Sequence, residues 1–135
     1  MTARKTKAKA SPTRGKSVPV TFAQIEKAAS DLPGVEVSTS YGTPALKVRG
    51  KLFARMHQTE DALVLRASIL DRQILMQSDP HAFYITDHYR DYPWVLVRLS
   101  AVGISAFPDL LDRAWRLVAP KQLASQKKER DHGPA

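Results

Sequence analysis

Between residues 35 and 67 the chain sets down four short alternating segments with only turn residues between them. They cover 35–39, 45–48, 51–57 and 62–67. Tyr41-Gly42-Thr43-Pro44, Gly50 and the polar stretch 58–61 separate them. Apolar and polar side chains alternating along a segment have the two-residue period of a strand. Strands that follow one another this closely must pair as hairpins, because a parallel pair needs a long crossover. The stretch therefore demands an antiparallel sheet.

The flanking segments read as helices. Thr21 is placed to cap a first helix with Gln24 as its capping-box partner, and Phe22, Ile25, Ala28, Ala29 and Leu32 form one stripe. Pro33-Gly34 stops it. Ser68 can cap a second helix over 69–77, with Asp71 in its first turn and Ile69, Leu70, Ile74 and Leu75 as its apolar positions. An aromatic, polar connection over 83–92 leads to a last strand at 94–99. A third helix spans 105–118, with Pro108 in its first turn and Leu110, Leu111, Ala114, Trp115 and Val118 along one face. Strands in a run, rather than alternating with helices, predict an α+β domain: an antiparallel sheet with helices packed on one face.

The hairpin around Gly50 poses a choice of register. A two-residue turn at Arg49-Gly50 sets Val48 opposite Lys51 and mixes apolar with charged side chains. A three-residue turn at Val48-Arg49-Gly50 pairs Lys47 with Lys51 and Leu46 with Leu52, which keeps the faces coherent. The second is expected. It places Lys47, Lys51, Phe53 and Arg55 on one face and sends Leu52 to the core with Ile25, Leu65, Val97 and Trp115.

The chain has 135 residues, is 43% hydrophobic and carries a net charge of +8, which suits one domain. Without cysteine it has no disulfide or thiol chemistry. No apolar run is long enough to span a bilayer, and a cytoplasmic protein is expected. The charge is unevenly placed. Residues 1–17 hold six bases and no acid, whereas 18–120 hold 11 of each. The expected organisation is a disordered basic tail at 1–17, one domain at 18–120 and a disordered charged tail at 121–135.

The segments SYGTPALKVRGKLFAR, FYITDHY, YPWVLVRL and AWRLVAP occur in that order. In these the chain resembles the MmcQ/YjbR family of small bacterial proteins, commonly described as DNA-binding. The resemblance implies a compact fold similar to bacterial frataxin. Frataxin holds iron on an acidic helical ridge, and Glu26, Asp31 and Glu36 are too few and too spread to build one, so no metal or other cofactor is expected.

Strand parity gathers Lys47, Lys51, Arg55, Arg66 and Arg98 on the sheet face away from the helices, with Phe53 and Trp94 among them. Cations interleaved with flat aromatics suit phosphates and stacked bases. The expected function is non-enzymatic binding of nucleic acid, DNA above all. The alternative is a protein-interaction or small-ligand module built on the aromatic 83–94 segment. There Tyr41, Tyr89, Tyr92, Pro93 and Trp94, with Gly42 and Thr43, either line a pocket or anchor the connection to the sheet. We favour the anchor. A His88-centred enzyme is a weaker third option: Asp87 is adjacent in sequence and so badly placed to orient the imidazole, and no HExxH or similar ligand spacing is present.

Overall fold

The computed structural model describes residues 19–132. The expected 1–17 tail lies outside the described residues. Helix α1 (Phe22–Ala28) precedes four strands, β1 (Val35–Ser40), β2 (Thr43–Val48), β3 (Lys51–Met56) and β4 (Ala62–Arg66). Helix α2 (Ile69–Ser78), the two-residue strand β5 (Phe83–Tyr84) and β6 (Trp94–Arg98) follow, then helices α3 (Phe107–Val118) and α4 (Lys121–His132). Short 3₁₀ turns sit at Asp87–Tyr89 and Ile104–Ala106. The six strands form one antiparallel sheet in the order β1-β2-β3-β4-β6-β5, so the α+β architecture is as read from the sequence.

The capping box forms as expected: the Thr21 hydroxyl accepts from Gln24 N, and Thr21 N donates to Gln24 Oε1 at 3.0 Å. Ser68 likewise accepts from Asp71 N. Leu46, Leu63, Leu65, Val95 and Val97 from the sheet pack against Ile25, Phe107, Leu111 and Trp115 in the main core. The indole N–H of Trp115, fully buried, donates to the Pro33 carbonyl at 2.9 Å, which ties α3 to the turn between α1 and β1.

The hairpin register departs from expectation. The turn is the two-residue one, with Arg49 and Gly50 both at positive φ, 51° and 81°, the signature of a type I′ turn. Val48 pairs with Lys51 and Lys47 with Leu52, yet Leu46 pairs with Ala54. Phe53 and Ala54 together oppose one residue, a β-bulge. The extra residue that sequence reasoning assigned to the turn is absorbed within the strand. As a result Phe53 is 0% exposed in the helix-side core beside Ala54. Leu52, expected in that core, is half-buried on the opposite face.

Helix α2 is also rotated from expectation. Ile69, Leu70 and Ile74 are exposed, and the residue it buries is Arg72, 6% exposed. Segment 121–132, expected as a disordered tail, is helical. Leu123 is buried in the main core, and Lys127 Nζ lies 3.4 Å from the Asp112 carboxylate on α3. Gly34 at φ 73° accommodates this: a Cβ there would meet Leu123 Cδ1 at 2.8 Å.

Candidate functional site

The sheet face away from the main core is partly covered rather than fully solvated. Ala62, Val64 and Leu96 form a second, small core with Tyr89, against which Tyr84, Ile85 and Trp94 pack. The 85–92 connection thus folds back over the sheet. Its backbone path is set by Arg72. Nη1 of that guanidinium faces the carbonyls of Tyr89, Tyr92 and Trp94 at 3.0, 2.8 and 3.1 Å, and Nη2 donates to the Arg90 carbonyl at 2.9 Å. A buried cation needs such partners, because without them its desolvation is uncompensated.

Between this connection and β3 lies a cavity of about 550 Å³. Trp94, Tyr92, Tyr89 and Tyr41 supply rings, and Leu52 and Val64 supply aliphatic surface. Arg55, His57, Gln58, Thr86 and His88 supply the polar groups, and no carboxylate is among the lining residues. Arg55 is 5% exposed. Its Nη1 donates to the Met56 carbonyl and to Gln58 Oε1, both at 3.1 Å, and its Nη2 donates to the Tyr89 hydroxyl. Tyr41 reaches over it, with the guanidinium carbon 5.1 Å from the ring centre.

Tyr41 sits at φ 54° and Gly42 at 78°, a second two-residue turn joining β1 to β2. Glycine tolerates that conformation freely, whereas an aromatic residue is strained in it. His57 closes the other side. Its Nδ1 accepts from the backbone N–H groups of Thr59 and Glu60 at 3.1 and 3.0 Å. Burial, with Arg55 and His88 nearby, lowers its pKa against the opposing pull of Glu60. His88 meets the Tyr89 ring edge-on at 4.7 Å. Asp87, its sequence neighbour, pairs instead with Arg90. Among the described residues no group of His, Asp or Glu side chains is placed to hold a metal ion.

The YjbR family model matches residues 30–117 of this sequence. The chain belongs to the YjbR family. Uncharacterised proteins of Mycobacterium bovis and of Mycobacterium tuberculosis are 39% identical to it over 49 residues. That match covers 36% of this chain and 38% of the length of each relative. The crystal structure of the Deinococcus radiodurans protein DR2400, whose domain is DUF419, matches this YjbR chain with a TM-score of 0.64 at 23% identity. It covers 80% of this chain and 86% of that one, a likeness of fold.

On this YjbR fold the expected cationic face is divided. Arg55, Arg66, Arg98 and Trp94 share the outer face, as their pairing shows: Arg55 with Val64, Arg66 with Trp94, Ala62 with Arg98. Each cation there is engaged with an aromatic ring. Arg66 stacks on Trp94 at 5.3 Å, and Arg98 on Tyr84 at 4.6 Å while its Nε donates to the His81 carbonyl. Lys47 shares that face but is opposed across strands by the acid Glu36. Two residues do not join the site. Lys51 is the partner of core residue Val48, so it emerges at the rim of the helix side. Phe53 is buried in the core, with no ring face open for stacking. The bulge moves both. Leu52, His57, Gln58, Val64 and Thr86 line the cavity without having been foreseen. Leu52 was hidden by the same bulge, and the others carry no signal beyond their polarity or their strand position.

Proposed function

We propose that this chain is a small-molecule-binding module that seats one flat, largely apolar body in the cavity on the outer sheet face and performs no chemistry on it. The observation that carries the reading is the cavity itself, about 550 Å³ with aromatic and aliphatic walls and a few fixed polar groups. Ligand sites have volumes of roughly 300–1,000 Å³ and this mixture of surfaces. The walls are held in advance by Arg55 and Arg72, which lowers the ordering cost of binding. Binding without turnover fits the histidines: Nδ1 of His57 is occupied by two backbone donors, and Asp87 is turned to Arg90 rather than His88.

Fluorescence gives a direct test, since Trp94 lines the cavity while Trp115 is fully buried elsewhere. Flat aromatic fragments should quench Trp94 saturably, and Trp94→Phe should abolish the response. A set of such fragments that leaves Trp94 emission unchanged would reduce the cavity to a packing gap.

A second reading, binding of nucleic acid, is favoured by charge: residues 1–17 hold six bases and no acid. In it an unpaired base enters the cavity and the basic segment follows the phosphates. Salt separates the two. Each phosphate contact gives a logarithmic salt slope of about 0.7 on single strands, whereas an uncharged fragment responds little. Among the described residues no helix is long and apolar enough to cross a membrane, and we propose action in the cytoplasm.

A further inference from the structure

Of the cavity side chains able both to donate and to accept hydrogen bonds, three neighbours, His57, Gln58 and Tyr89, have their accepting side used by the fold. Gln58 Oε1 and the Tyr89 hydroxyl oxygen both face Arg55. A guanidinium has no acceptor, so Gln58 must present its oxygen there and Tyr89 must receive. Nδ1 of His57 faces the N–H groups of Thr59 and Glu60, which are donors only, so Nδ1 is unprotonated and the ring proton sits on Nε2. The Gln58 amide N–H₂, the Tyr89 O–H and the His57 Nε2–H are what these residues have left to offer. Arg55 adds its Nε–H and one Nη2–H, which no described residue takes up. With no carboxylate in the lining, this side of the cavity is a wall of donors.

We infer that the head group of the ligand is an acceptor-rich anion, a carboxylate or a phosphate ester, and that His57 reads it as a neutral N–H donor rather than as a base. The inference rests on the small-molecule reading above and narrows it. On this side of the cavity a cation or a donor-rich head would meet a guanidinium and several N–H groups, leaving only the hydroxyls of Tyr41, Thr86 and Tyr92 and the His88 ring to receive its protons. Such a mismatch leaves buried polar groups unpaired and is strongly discriminating. An anion supplies the acceptors that these donors lack.

The test compares head groups on one ring by Trp94 fluorescence: benzoate, phenyl phosphate, benzamide and benzylamine. Benzoate or phenyl phosphate should bind at least about 10-fold more tightly than benzylamine, as expected for hydrogen bonds to a charged group. Whichever of the two is tighter names the head group. His57→Leu should weaken the favoured anion about 10-fold or more, weaken benzamide less, and leave benzylamine, which has no acceptor, nearly unchanged. Because His57→Leu also removes the acceptor of the 57–60 turn, His57→Asn is the second variant. Its side-chain oxygen can hold such a turn, but its short amide lacks the reach of Nε2. It should lose anion affinity to a similar extent. Long-range nitrogen–proton spectra of the free protein should show His57 protonated at Nε2. Equal binding of benzylamine and benzoate, or a proton on Nδ1, would overturn the inference and leave the cavity reading standing. Failure of all four compounds, with other flat fragments also silent, would remove the cavity reading itself and this inference with it.

Discussion

Arg55 on β3 donates through Nη2 to the Tyr89 hydroxyl at 2.5 Å, joining residues 34 positions apart in the chain. Both side chains are buried and border the cavity, so water replaces the lost partner only in part when one is removed. Tyr89→Phe should therefore destabilise the fold by about 1–3 kcal/mol, the cost of a stranded buried donor. Arg55→Met should cost a comparable amount. The double variant should lose less than the sum, with a coupling of roughly 0.5–3 kcal/mol in a cycle measured by urea unfolding. Strict additivity would mean that the bond is not maintained in solution.

The bulge at Phe53 is tested by two adjacent residues that alternation alone cannot order correctly. Phe53→Ala should cost about 3–5 kcal/mol because it empties part of the main core. Leu52→Ala should cost less than about 2 kcal/mol, since that side chain is half-buried and already borders a cavity. Denaturant midpoints read the difference, and the reverse ranking would restore the unbulged hairpin.

Tyr41 should show opposite effects on stability and binding. Asn tolerates its positive φ better than an aromatic residue, so Tyr41→Asn relieves backbone strain of about 1–2 kcal/mol. It also removes a stacking contact with Arg55 of about 0.5–1 kcal/mol. The melting temperature should hold or rise. Affinity for cavity ligands should fall, since the variant deletes one wall. A variant less stable than its parent would mean that the ring contributes more than the turn costs.

His57 sets a pH dependence whose sign is fixed. Burial first, then Arg55 and His88, hold its pKa below the ordinary 6.5, with Glu60 opposing. The unfolded chain therefore takes up this proton at a higher pH than the folded one. The stabilisation is complete above about pH 6.5 and is lost as pH falls through the lower folded value. Partial solvent access keeps its size modest. Between about pH 7.5 and about pH 5 the parent should lose more thermal stability than His57→Asn, in which this proton is absent. Equal losses would place the imidazole proton equilibrium outside folding.

The parts of this structure that were legible in the sequence are those decided by neighbours in the chain. Thr21 and Gln24 sit three apart and cap each other, and the alternation of β4 and β6 places Arg66 beside Trp94 as expected. A bulge is silent in this code, because one extra residue shifts every later side chain without changing composition. Phe53 and Lys51 were misplaced for that reason. Helix α2 misled differently: its apolar positions are real, but its orientation is decided by the carbonyls that Arg72 must reach. The last helix offered little to read, since Leu123 and Ala124 are its only two apolar residues in a segment rich in charge, and the burial of Leu123 depends on the space left by Gly34, far away in sequence.

The Arg72 clasp has a consequence for how such a cavity could diversify. It grips the 89–94 segment by its main-chain carbonyls, which every amino acid possesses. The course of that wall is thus largely independent of the side chains it displays. Tyr92 and Trp94 could be exchanged for residues of other shape and polarity while the strand and turn carrying them kept their positions. A scaffold built this way separates the problem of holding a wall from the problem of choosing its chemistry, and one fold could come to recognise dissimilar compounds through a few substitutions on a single short stretch.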